Sequence, residues 1–139
     1  MLDSPNSISD RELITHLELA SKDLLWLSEA EYPLQIIYWH SADDFNENTL
    51  LQRHDYSADT KIGIQEFHSF FDPVTKSEPW QNETEQLEVR KFQTIVDLLA
   101  QNLTDIRVYL LGEVEIDVYV LGKTQDKAIA GLTTKIVRT

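Results

Sequence analysis

Most residues of this chain that could do chemistry are carboxylates. Glu29 and Glu31 stand on either side of Ala30, just ahead of Pro33, and Glu113, Glu115 and Asp117 alternate along a later run. A close pair such as Glu29 and Glu31 can act as general acid and base when its surroundings keep one carboxyl protonated. No nucleophile, base or phosphate-binding loop accompanies either set, so both read first as solvated surface, and catalysis is the weakest reading. The four histidines, at positions 16, 40, 54 and 68, form neither an HxH nor an HxxxH pair, and His16 reads as a boundary residue. There is no cysteine, which removes thiolate metal sites and disulfides, and no cofactor is expected. Trp80 is the remaining singular residue. An indole brings large contact area and one donor at low entropy cost, so it serves either as an interface anchor or as packing for the helix that follows.

The charge balance narrows the partners. Twenty-four acids against twelve Lys and Arg give a formal charge of −12 and a pI near 4.6. Phosphate backbones and anionic lipid repel such a chain, so neither nucleic acid nor membrane is an expected partner. A basic protein would be drawn to it, although acidity also confers solubility. The first twenty residues lack a basic leader followed by an unbroken apolar run, so the expectation is no signal peptide, no spanning helix and a cytosolic home. By length the chain is one domain, residues 1–139, able to bury roughly 68% of the surface that its unfolded form exposes.

The elements that must position these residues follow from periodicity. Ser9 and Glu12 form a capping box, after which Leu13, Leu17, Ala20, Leu24 and Leu27 mark a helical stripe that ends near residues 28–33, before Pro33. On this reading Glu29 lies at a helix C-terminus, where the macrodipole disfavours acids, and that mild cost favours a role at a binding surface. Residues 34–39 read as an interior strand, residues 40–59 as a loop or short helix, and residues 61–71 as a strand running into an aromatic turn anchored by Phe67, Phe70 and Phe71. Residues 72–80 form a loop stiffened by two prolines. Asn82 with Glu85 caps a second long helix, whose stripe is Val89, Phe92, Val96, Leu99 and Leu103. A strand over residues 106–111 follows.

The last thirty residues are the most regular. Residues 114–121 and 128–137 predict a β-hairpin joined by the polar segment 122–127. Val114, Ile116, Val118 and Val120 fall on a core face, and Glu113, Glu115, Asp117 and Tyr119 on the other. In the second run Leu132, Thr134 and Ile136 share one side. The chain is still strand-like as it reaches Arg138 and Thr139, so the terminal carboxylate is expected at a fixed place. Two helical stripes and about five strands predict an α+β domain in which helices cover a mixed sheet.

Four motifs are more specific. SEAEYP at 28–33, RKFQ at 90–93, LGEVEIDVYVLG at 111–122 and AGLTTK at 130–135 resemble the nuclease A inhibitor family, over a span from about residue 14 to residue 139. The resemblance implies a small intracellular protein with a three-layer α/β/α sandwich that plugs the active site of a sugar-non-specific, Mg²⁺-dependent DNA/RNA endonuclease. It implies partner-binding roles for Glu29, which addresses basic residues around the nuclease site, and for Trp80, which contacts the enzyme from its loop. Thr139 matches the family's terminal threonine, which reaches the catalytic metal of the bound nuclease. A carboxylate and a hydroxyl are hard oxygen ligands of the kind Mg²⁺ accepts in place of water. The pattern departs at Pro79, where the family carries an acid that here stands one step earlier as Glu78, and at Arg138, which is basic where an acid is expected. The protein is expected to be monomeric when free, and an adaptor of the same fold serving another basic protein is the alternative.

Overall fold

The computed structural model describes residues 8–40, 46–53, 56, 57 and 59–138. Helix α1 (Asp10–Ser21) starts at the anticipated capping box: Ser9 Oγ accepts from the Glu12 amide at 3.1 Å, and Glu12 reaches back to the Ser9 amide. Its end differs from the expectation. Asp23 takes a left-handed conformation, φ 60°, one of the few non-glycine types that does so readily, and the chain turns there. Leu24 and Leu27 continue the helical spacing, but the chain beyond Asp23 follows a period of two. Strand β1 (Leu25–Leu27) buries Trp26 and turns Leu25 and Leu27 outward, and it pairs antiparallel with β2 (Glu31–Pro33). Glu29 therefore sits in a hairpin turn and not at a helix end.

The main sheet has the order β3-β7-β6-β5-β4, where β3 is Gln35–Trp39, β4 Ile62–Gln65, β5 Thr104–Leu111, β6 Glu115–Lys123 and β7 Ile129–Val137. The fold class is α+β, as anticipated. Every pairing in the sheet is antiparallel, which corrects the mixed sheet, and β3 is an edge strand, which corrects its interior placement. Short connections make the β5-β6-β7 meander antiparallel, because parallel pairing needs a long crossover, whereas β3 and β4, far in sequence from their partners β7 and β5, occupy the two edges.

Three helices pack on one face of the sheet. Leu13 and Leu17 of α1, Phe67, Phe70 and Phe71 of α3 (Phe67–Thr75), and Phe92, Ile95 and Leu99 of α4 (Glu83–Asn102) meet Val118, Val120 and Leu132. Burying each such side chain is worth about 1.5–3 kcal/mol. The three phenylalanines anchor the core as expected, but from a helix, not a turn. Glu66 caps that helix by accepting from the His68 and Ser69 amides, and Pro73 lies within its second turn. In α4, Ile95 is fully buried where the stripe placed Val96, which is only partly so.

The second face carries its own cluster. Leu50 and Leu51 of α2 (Glu47–Arg53) pack on Ile37, Tyr109, Leu111, Tyr119, Leu121 and Ile129. Tyr119 and Leu121 are thus core as well, so β6 is buried on both faces towards its end, whereas Val114, placed with the core residues, lies in the bend ahead of β6 and is 54% exposed. Gly131, opposite Leu121, lets β7 pass close to β6: at φ 156°, a β-carbon there would fall 1.7 Å from the Val120 carbonyl oxygen.

Candidate functional site

The β1-β2 turn is pinned to the end of β7. The Ser28 amide donates to the Ala30 carbonyl at 3.0 Å, which closes the turn around Glu29. The Glu29 amide then donates to the Val137 carbonyl at 3.4 Å, and the Val137 amide to Ser28 Oγ at 3.0 Å. One residue on, the Arg138 amide donates to the Val114 carbonyl at 2.8 Å. The chain is therefore held in place through Arg138, and Glu29 is exposed beside it. Thr139 lies outside the described residues.

Glu29 and Arg138 share the wall of an open hollow of about 620 Å³, together with Ser28, Ser69 and Val137. Its floor is stiff. Trp26 stacks on Phe70 with ring centroids 4.5 Å apart and meets Phe71 and Phe92 edge-on at 5.7 and 5.6 Å. A carboxylate, a guanidinium and two hydroxyls around an aromatic floor can hydrogen-bond and pair with charged groups of a partner.

Trp80 belongs to the α3-α4 connection and does not line this hollow. The Gln81 amide donates to the Glu78 carbonyl at 3.1 Å and the Glu78 amide to Gln81 Oε1 at 2.9 Å, so residues 78–81 form a doubly closed turn with Pro79 at its favoured position. Asn82, next in the chain, caps α4. The indole is 77% exposed, which decides between the two alternatives: Trp80 does not pack onto the following helix. Glu78 is half-buried. A narrower slot shares Leu27, Pro73 and Val74 with the hollow and extends to Gln81, so the Trp80 turn and the Glu29 turn border one continuous relief.

Two carboxylates of the later run are paired within the chain. Glu113 pairs with Lys61 at 2.5 Å, and that hydrogen bond and charge hold its carboxyl below the usual range, the reverse of what a general acid requires. Asp117 accepts from the Tyr56 hydroxyl and lies 3.8 Å from Lys135 Nζ. Burial, then the bond to Asp117, pushes the Tyr56 phenol far above its ordinary value. Glu31 is exposed on β2. Among the described residues no three His, Cys, Asp or Glu side chains come together as a metal site, and no helix is long and apolar enough to cross a membrane. His16, His40 and His68 are exposed, and His54 is outside the described residues.

Sequence reasoning missed Leu25 and Leu27, which are both exposed, Leu27 at 59%. Their signal was the out-in-out order Leu-Trp-Leu after a turn-forming Lys22-Asp23, masked by leucines that also fit a helical period.

Exposed apolar side chains beside carboxylates have the makings of protein recognition. Comparison with known families is specific: residues 11–139 match the family model described as nuclease A inhibitor-like protein, and the chain belongs to that family. The family is named for inhibition and not for an enzymatic activity. No curated protein matches the chain.

Proposed function

We propose that this protein inhibits a sugar-non-specific, Mg²⁺-dependent endonuclease by covering its active site. The observation that carries the reading is the bonding of the Glu29 turn to the end of β7, which fixes the backbone of an exposed glutamate beside the last described residues of the chain. A nuclease site is built to hold phosphate, and a carboxylate in place of phosphate pairs with the same basic groups. In this reading Glu29 meets those groups, Trp80 and Glu78 contact the enzyme from the closed turn, and Thr139 reaches the nuclease's own metal. The net charge of −12 supports it by attracting a protein whose active site is basic. The inhibitor supplies no catalytic group and no cofactor.

The test is digestion of plasmid DNA and of RNA by a non-specific Mg²⁺ nuclease against rising amounts of the protein. Stoichiometric block of both substrates, unrelieved by added Mg²⁺, is expected. Glu29→Ala is expected to weaken inhibition by about 2–5 kcal/mol if the carboxylate meets a desolvated cation. Removal of Thr139 is expected to weaken it with the fold intact, and unchanged inhibition would sink the metal-reaching role. Arg138 and Pro79 favour a second reading, an adaptor for another basic protein, which absence of any block would bring forward.

A further inference from the structure

The narrower slot beside the Glu29 hollow has a volume of about 150 Å³ and lies between β1, the end of α3 and the start of α4. Leu27 of β1 and Val74 of α3 line it together with Val89 and Phe92 of α4. Glu85 and Glu88 also line it. On α4 these two acids and the two apolar residues fall at i, i+3, i+4 and i+7, so one helix face presents carboxylates above apolar surface.

The two acids are not equivalent. Glu85 is occupied, because its Oε1 accepts from the Asn82 amide at 3.1 Å in the capping box of α4. Glu88 is half-buried and makes no hydrogen bond or ion pair with the described residues. Glu88 thus lies against apolar walls with a charge that none of the described residues balances. A cation entering the slot would balance it, and Leu25 and Leu27 leave exposed apolar surface for whatever carries that cation.

An apolar stem ending in a cation is the chemistry of a long basic side chain. Of the two natural ones, the guanidinium is planar and more weakly hydrated, so it is less costly to bring against Leu27 and Val74, and its fork of donors can serve Glu88 and the rim together. We propose that this slot receives an arginine side chain of the partner protein, with its stem along Leu27 and Val74 and its guanidinium on Glu88. The proposal rests on the reading that this end of the molecule faces a protein, but not on that protein being a nuclease.

The test uses the full chain. Inhibition of a non-specific nuclease is titrated with the wild type, Glu88→Gln, Glu88→Lys and Asp97→Asn, the last neutralising another exposed acid of α4. About tenfold weaker inhibition is expected for E88Q and about a hundredfold or more for E88K, with D97N within about twofold of the wild type. E88K inhibiting like the wild type, with its fold verified by circular dichroism, overturns the proposal. Should the wild type inhibit no nuclease, the reading under Proposed function fails and the slot is tested alone. N-acetyl-arginine amide is titrated at millimolar concentration against the methyl resonances of Leu27, Val74 and Val89. Saturable shifts in the wild type that vanish in E88K uphold the slot. Absence of shifts, or equal shifts with N-acetyl-norleucine amide or N-acetyl-lysine amide, overturns it.

Discussion

The two ends of the β6-β7 hairpin are finished in opposite ways. At the loop end the polar groups bond inward: Thr124 is buried, its hydroxyl accepts from the Ala128 amide at 3.1 Å and donates to Asp10 Oδ2 at 3.0 Å, and the Tyr38 hydroxyl donates to the same carboxylate oxygen at 2.9 Å. That oxygen ties the start of α1 to β3 and to the loop. At the other end, where β6 begins and β7 finishes, the backbone is bonded but apolar side chains are left in water, among them Val114, Leu25 and Leu27. Buried polar networks stabilise when every member is satisfied, whereas exposed apolar groups on a stiff frame gain only when something covers them. The loop end serves stability and the open end serves recognition. Substitutions should separate the two.

The largest expected effect removes both. Gly131 lies between the two ends, and its backbone passes so close to the Val120 carbonyl that a methyl group cannot fit. Gly131→Ala should cost about 4 kcal/mol or more, among the rarer large single-residue losses, read as a drop in the urea midpoint. A midpoint near that of the wild type would mean that the strand pairing at Gly131 yields and that the ends are not held by a common frame.

A crossed pair comes next. Trp80→Ala should weaken inhibition by about 2 kcal/mol or more while changing stability by less than about 0.5 kcal/mol, because the indole is exposed and the turn under it is closed by Glu78 and Gln81. Asp10→Ala should do the reverse. It leaves the Tyr38 and Thr124 hydroxyls without their acceptor, at a cost of about 1–3 kcal/mol in urea unfolding, and leaves inhibition unchanged. If Asp10→Ala weakened inhibition as much as Trp80→Ala, the division of labour between the ends would be wrong.

The two ends also differ in how far the sequence disclosed them. The hairpin itself was legible because alternation over nine residues has few competing interpretations, and the caps at Ser9 and Asn82 were legible because they are local. Residues 22–33 were not, since Leu24 and Leu27 satisfy a helical period and only the left-handed turn at Asp23 breaks it. The mixed sheet was an error of topology, which strand patterns do not encode. At the site, the types of Glu29 and Trp80 were informative, and the family resemblance added Glu78 and Thr139. That Glu29 is bonded beside Arg138 depends on contacts across more than a hundred residues of chain. Glu88 was invisible for the same reason, as an acid on a polar helix face is unremarkable until β1 is placed opposite.

The smallest effect concerns pH and belongs to the loop end alone. The Tyr38 phenol is held above its ordinary value of 10 by its hydrogen bond to Asp10 first, then by burial and by the negative charges of Asp10 and Asp126. Folding therefore favours the protonated phenol. Its contribution is complete below pH 10, where the unfolded chain's tyrosines are also protonated, and is lost as the pH rises through the higher folded value. Tyr38→Phe lacks the bond at every pH, at a cost of about 1 kcal/mol near neutrality. The difference in unfolding free energy between the wild type and Tyr38→Phe should consequently shrink above pH 10, while other tyrosines, Tyr56 and Tyr119 included, titrate in both proteins and cancel. Urea unfolding of the two at pH 7, 9 and 10.5 measures it. A difference that stayed constant would mean that the Tyr38 hydroxyl does not depend on Asp10, and the loop end would then be held by Thr124 alone.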